Sequence, residues 1–204
     1  MDDIEKLLRA RQTILEMLQD RGYSIKDDLW IKSKDEFKKL FYAKNIDFLV
    51  EANSNGKPSV YVKWLIGQKI KPNFIKDTID NLKEDIFQEK GSHNKIMIIS
   101  KAKPNTNIQK ILKEKEYRGN ELFWLNSVIF NITKHILVPK HTLMNEVDVK
   151  KLLDELYITN KFHLPIMLKT DPIAKYFDLS TGDVCQITRF SPTSGYFVSY
   201  RVVR

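Results

Sequence analysis

Lys95-Ile96-Met97-Ile98-Ile99-Ser100 holds four apolar residues in a row, closed by polar ones. A strand with one wet face alternates apolar and polar residues. An unbroken apolar run of this length suits a strand buried on both faces. The flanking sequence completes the pattern. Upstream, Phe74, Ile75, Ile79, Leu82 and Ile86 recur at helical spacing; downstream, Pro104-Asn105-Thr106-Asn107 opens a short helix carrying Ile108, Ile111 and Leu112. Segments 46–50 and 60–65 are strand-like, and the turn residues Asn53-Ser54-Asn55-Gly56-Lys57-Pro58 join them as a hairpin. Residues 121–124 and 128–132 are expected as further strands.

The first residues are helical by the same criterion. Ile4, Leu7, Leu8, Ile14, Leu15 and Leu18 form an apolar stripe over 3–20, and Gly22 is placed to cap its C-terminus. Ser33, with Glu36 three residues on, predicts the start of a second short helix. The order helix, hairpin, helix, strand, helix, strand is that of a mixed α/β domain over 1–133.

A second, smaller α+β unit is expected over 134–204. Asn145 can cap a helix whose Val149, Leu152, Leu153 and Leu156 share a face, and Asp171-Pro172 is a compact helix start. Segments 184–190 and 196–203 read as strands joined by the turn Ser191-Pro192-Thr193-Ser194-Gly195.

The composition narrows the function classes. The 34 Lys and Arg against 26 Asp and Glu leave a formal net charge of +8, which favours polyanion contact. A solvated Lys-rich surface accounts for the same numbers. The single Cys185 excludes an internal disulfide framework and is expected as a small buried hydrophobe. The acidic start, Met1-Asp2-Asp3-Ile4-Glu5, lacks the layout of a signal peptide, and an intracellular, non-secreted protein is expected.

The element order of the first domain is that of restriction-type nucleases, whose chemistry needs an acid on one strand and Asp/Glu-x-Lys on the next. Asp47 supplies the first acid, but the next strand reads Tyr61-Val62-Lys63, with Tyr where a carboxylate is needed. Glu36-Phe37-Lys38 has the spacing but falls in a predicted helix. The four histidines, His93, His135, His141 and His163, have no metal-ligand spacing. No cofactor motif appears. Trp30, Trp64 and Trp124 sit within apolar patterns and read as core residues rather than a stacking platform.

The second unit carries more specific marks. Asn131-Ile132-Thr133-Lys134-His135-Ile136-Leu137-Val138-Pro139-Lys140-His141 resembles the "NITxHxLVPKH" segment of the fifth subunit shared by eukaryotic RNA polymerases and of its archaeal counterpart. Asp171-Pro172-Ile173-Ala174-Lys175-Tyr176 resembles that family's "DPVAxY". Gly182-Asp183-Val184, Ile187-Thr188-Arg189, Ser191 and 195–201 are similar to its ending in order and spacing. Asp20-Arg21-Gly22-Tyr23 matches the family's opening "DRGY". The resemblance departs at 162–167, where Phe-His-Leu-Pro-Ile-Met replaces a more polar or basic segment, and at Ile136, where Glu is common.

The resemblance implies a non-catalytic subunit of a multisubunit DNA-directed RNA polymerase. Its N-terminal jaw domain would have nuclease-like topology without nuclease activity, and would line the downstream DNA channel. Its C-terminal assembly domain would anchor to the largest subunit. His135, Leu137, Val138, Pro139, Lys140 and His141 would form part of the assembly segment. Asp171, Pro172, Arg189, Tyr196, Tyr200 and Arg201 would shape that module or meet its partner, with Lys140 and Arg201 the leading contacts. Sequence-independent contact with duplex DNA is assigned to Lys101, Lys103, Pro104, Asn105 and Thr106, where two cations adjoin a helix start. The match hints that the bond before Pro104 is cis. No cofactor and no metal is implied. The expected location is the nucleus for a cellular protein, or the virion and cytoplasmic factory for one from a large DNA virus. The competing readings are a stand-alone DNA-binding transcription regulator and a metal-dependent nuclease.

Overall fold

The computed structural model describes residues 3–31, 33–51, 58–68, 70–86, 94–193 and 195–204. The expected hairpin turn at 53–57, His93, and Ser194 of the second turn lie outside the described residues. The chain forms two compact units, Met1–Phe130 and Asn131–Arg204. The expected break at 133/134 thus falls three residues inside the second unit. The reason is Asn131: its amide Nδ2 donates to Tyr176 Oη at 3.0 Å, and its Oδ1 accepts from the backbone N–H of Thr133.

In the first unit α1 (Asp3–Asp20) is followed by α2 (Lys34–Tyr42), β1 (Phe48–Val50), β2 (Val60–Leu65), α3 (Pro72–Ile86), β3 (Lys95–Ser100), α4 (Thr106–Ile111) and β4 (Glu121–Trp124). The sheet order is β1-β2-β3-β4. β1 pairs antiparallel with β2 as the hairpin reading requires. β2, β3 and β4 are parallel, and α3 and α4 make the crossovers. β3 is therefore interior, and Ile96, Met97, Ile98 and Ile99 are all buried. Ile96 and Ile98 pack with Ile75, Ile79 and Ile108 from the crossover helices. Met97 pairs with Val62, and Val62 with Phe48, on the opposite face. There Arg11 of α1 stacks on the Phe48 ring at 4.4 Å and donates to the Ile46 carbonyl at 2.8 Å. Burial pushes the Arg11 guanidinium down to about 10, with Asp47 opposing the shift.

α1 ends as its sequence predicts. Gly22 has φ +86°, its N–H donates to the Gln19 carbonyl, and the Tyr23 N–H donates to Leu18. These two bonds are the Schellman pattern, and glycine supplies the positive φ without steric cost.

Four expectations are corrected. Residues 128–132 are not a strand: Val128 and Ile129 are buried from irregular chain, and a 3-10 turn follows at Ile132–Lys134. The Asn131 side chain stabilises that turn by taking the Thr133 N–H, which competes with strand pairing. Ser33 stands at the N-cap of α2, but its side chain makes no capping bond. Leu156 is the C-cap residue of its helix and is exposed, so it leaves the apolar face it was assigned to. No cis peptide bond occurs among the described residues, and the bond before Pro104 is trans.

The second unit runs β5 (Lys140–Leu143), α5 (Glu146–Glu155), β6 (Ile166–Met167), α6 (Pro172–Tyr176), β7 (Val184–Ser191) and β8 (Gly195–Val203), with sheet order β5-β7-β8-β6. Asn145 and Asp171 cap α5 and α6 through their side-chain oxygens, as their positions in the sequence predict. The sheet is covered on both faces. Val184 and Val202 pack with Leu152 and Leu164 on one side; Cys185, Ile187 and Val203 pack with Ala174 and Leu179 on the other.

Cys185 is buried, and burial pushes its thiol up to about 11 from an ordinary 9.0. The unfolded chain therefore ionises first. Stability from this group is intact below about pH 9 and is lost as the pH rises towards 11. A disulfide reagent such as dithionitrobenzoate is expected to react with the native thiol at least ~100-fold more slowly than in denaturant, since only the exposed thiolate attacks. Equal rates would contradict the buried placement.

Candidate functional site

Asp47, the acid that the nuclease reading needs, is held by protein donors. Its Oδ2 accepts a 2.6 Å hydrogen bond from Lys63 Nζ, and its Oδ1 accepts from the Trp64 N–H at 2.8 Å. Both carboxylate oxygens are thus engaged by protein donors. Tyr61 stands on β2 beside this pair; burial first, then Asp47, push its phenol up to about 12, so it stays neutral. A neutral phenol does not replace a second carboxylate as a hard-cation ligand. Among the described residues no cluster of three or more His, Cys, Asp or Glu could hold a metal ion. Two of the histidines are occupied locally: His135 Nδ1 accepts from the Leu137 N–H, and His141 Nδ1 donates to the Pro139 carbonyl at 2.7 Å.

The loop after β3 has a built framework. Ser100 is fully buried, and its Oγ donates to the Ala102 carbonyl at 2.7 Å. Trp124 Nε1 donates to the Lys101 carbonyl at 3.0 Å, and Lys103 Nζ lies 6.0 Å from the centre of the same indole. Trp124 is therefore a brace for this loop as well as a packing residue, a role its apolar surroundings in the sequence conceal. Lys101, Lys103, Asn105 and Thr106 are exposed and Pro104 half-buried. Two features limit the loop as an anion site. Lys101 is already paired with Asp3 at 2.9 Å, a contact that holds the Asp3 carboxyl below its ordinary value. Asn105 Oδ1 takes the Ile108 N–H at 3.0 Å, which removes one of the helix-terminal donors assigned to a phosphate.

In the second unit the residues assigned to partner contact divide over the sheet. Residues directly opposite on neighbouring strands share a face. His141 lies opposite Ile187, Arg189 opposite Phe197, and Cys185 opposite Arg201, so His141, Arg189 and Arg201 share one face. Asp171 adds a carboxylate within electrostatic reach of His141. Burial first, with Arg189 and Arg201 adding to it, depresses the His141 imidazole, against the pull of the Pro139 carbonyl and Asp171. Lys140 and Tyr200 belong to the other face, where Lys140 is exposed and Tyr200 packs partly against the Leu152 cluster. Asp171 is occupied as the cap of α6.

Large apolar side chains are exposed around this module. Ile136 is 94% and Leu137 83% accessible in the segment before β5, while Val138 and Pro139 are half-buried. At the β7–β8 end Phe190 is 72% and Tyr196 77% accessible, their rings edge-to-face at 5.8 Å. The sequence marks Phe190 only as a strand residue; the exposure of both rings depends on the ribbon extending past β5, whose pairing stops at Thr188. Phe190 and Tyr196 share the face of Tyr200, opposite the face of Arg189 and Arg201.

Comparison with known proteins gives the same direction. Residues 1–111 match the family model described as RNA polymerase Rpb5, N-terminal domain, and residues 130–203 match RNA polymerase Rpb5, C-terminal domain. The chain is similar to "DNA-directed RNA polymerase subunit 5-like protein 1" of Arabidopsis thaliana, at 31% identity over 98% of this chain and 96% of the relative. It is 28% identical to "DNA-directed RNA polymerases I, II, and III subunit rpabc1" of Dictyostelium discoideum, over 99% of each chain. It is 27% identical to "DNA-directed RNA polymerases IV and V subunit 5B" of Arabidopsis thaliana, over 98% of this chain and 91% of the relative.

Proposed function

This chain belongs to the RNA polymerase Rpb5 family and is a DNA-directed RNA polymerase subunit, and from that premise we propose that its role is positional, with no chemistry of its own. The second unit is the anchor to the largest polymerase subunit, and the first lines the channel of the incoming duplex. The observation that carries the anchoring is the face bearing the exposed Arg189 and the half-buried His141 and Arg201, together with the exposed Ile136 and Leu137 of the segment before β5. The engaged state of Asp47 supports a role without metal-dependent cleavage. For a cellular protein the nucleus is the place of action, and its partners are the other polymerase subunits.

Contact with DNA is assigned to the exposed loop 101–106, through phosphates and without base readout. The isolated protein is then expected to bind duplex weakly, with a dissociation constant above about 10 µM at physiological salt. Fluorescence anisotropy over a salt series tests it. Lys101→Glu with Lys103→Glu should lower the salt slope by about 2, one per lost phosphate contact. Asp3→Asn should act in the opposite direction, because it releases Lys101 from its ion pair. Nanomolar binding by the isolated chain would instead favour the stand-alone regulator. An unchanged salt slope in the double variant would remove the loop from the interface.

A further inference from the structure

The outer edge of β8 is open over most of its length. β7 pairs with β8 from Val184↔Val202 to Ser191↔Gly195, but on the other side β6 covers only Val202 and Val203. The direction of the backbone groups follows from the bonds that are made. Val202 donates its N–H outwards to Pro165, and Arg204 donates outwards to Met167, whereas Val203 faces inwards to Asp183. Alternation along a strand then turns the N–H and C=O of Tyr196, Val198 and Tyr200 outwards as well. Among the described residues no backbone group meets them. Natural proteins protect such edges or use them. Its described residues 195–201 carry no proline, their one charge is Arg201, and the far end is apolar and exposed.

Resting on the reading of the chain as a polymerase subunit, we propose that this edge takes an extended segment of another polypeptide of that assembly as an added strand, in line with β6. The chemistry of the occupant follows from the two faces. A residue added beside β8 shares the face of its neighbour. On one face it meets Tyr196, Val198 and Tyr200, which suits aliphatic side chains. On the other it meets Phe197 and Arg201. The Arg201 guanidinium reaches across the edge, donating from Nη1 to the Ile166 carbonyl at 3.2 Å. Arg189 stands on the same face, opposite Phe197. The occupant is therefore a strand with aliphatic residues on one side and a carboxylate on the other. Its main-chain bonds supply affinity and the arginines its register.

Hydrogen exchange with residue-level readout tests this, on the isolated chain and on the chain in purified polymerase. In the isolated chain the amides of Tyr196, Val198 and Tyr200 should exchange quickly, while the laddered Phe197 and Ser199 are protected. In the assembly the three edge amides should slow by at least ~100-fold. Contact by side chains alone would leave them fast and would overturn the proposal. Protection in the isolated chain, together with dimer sedimentation, would assign the edge to a second copy and overturn it too. As a second arm, Val198→Pro deletes an outward N–H and leaves the β7 ladder intact; Val198→Thr keeps the N–H. Recovery of polymerase subunits with the proline variant should fall at least tenfold and be unchanged with threonine. Should proline unfold the unit by circular dichroism, the exchange of the unaltered protein decides. If the chain assembles but the edge amides stay fast, only this inference fails; if it recovers no polymerase subunits, the subunit reading fails and this inference with it.

Discussion

Replacing Glu121 by alanine is expected to destabilise the first unit by about 3–5 kcal/mol, because its ion pair is the least accessible one among the described residues. Arg21 follows the last residue of α1 and Glu121 begins β4, 100 residues later. Their side chains form two parallel hydrogen bonds, each 2.8 Å, and are only 5% and 16% accessible. Such a fork is strong when intact and costly when halved, because the guanidinium loses two charge-assisted bonds at a site that gives it little water in return. The melting temperature of the unit should fall by about 10 °C or more. The paired replacement Arg21→Met with Glu121→Leu should recover much of that loss, since no buried charge is then left alone. Thermal unfolding followed by circular dichroism measures both. A Glu121→Ala loss under ~1 kcal/mol would mean that the pair behaves as an exposed one.

Reversing the charge of Arg189 and Arg201 together is expected to leave the fold intact and remove the protein from its assembly. Arg189 is exposed and Arg201 partly so, and neither forms an ion pair among the described residues. The stability change should stay within about 1 kcal/mol, apart from the Arg201 bond to Ile166. At an interface, by contrast, a reversed charge meets the carboxylates that the arginine attracted. The loss there is typically about 2–5 kcal/mol per buried pair, which is a factor of about 30 or more in affinity. Recovery of polymerase subunits on the tagged double variant should be at background. Lys140→Glu, on the opposite face of the sheet, separates the two surfaces. If it weakens recovery as much, the partner embraces both faces; if not, the His141–Arg189–Arg201 face carries the contact.

Much of the architecture was legible because local signals and burial agreed. The run 96–99 suits an interior strand and is one, and Gly22, Asn145 and Asp171 punctuate helices by side-chain or backbone chemistry that acts within a few residues. The failures share a cause. At 128–132 an apolar run predicts a strand, but Asn131 draws the backbone into a turn, and burial alone does not distinguish a strand from irregular chain. At Ser33 the residue type fits a cap that its side chain does not make. The candidate site was legible through motifs, whereas its grouping was not. That Arg201 shares a face with His141 and not with Lys140 depends on pairing register among strands far apart in the chain. The neutralisation of Lys101 by Asp3 depends on a contact spanning 98 residues. Pair contacts at such separation leave no mark in a local pattern.

The most direct measurement is affinity purification of the tagged chain from its native source at moderate salt, with mass spectrometry of what accompanies it. A subunit of a multisubunit polymerase should bring both large polymerase subunits with it, in one-to-one proportion. Recovery of the chain alone, or with proteins unrelated to transcription, would contradict the central claim.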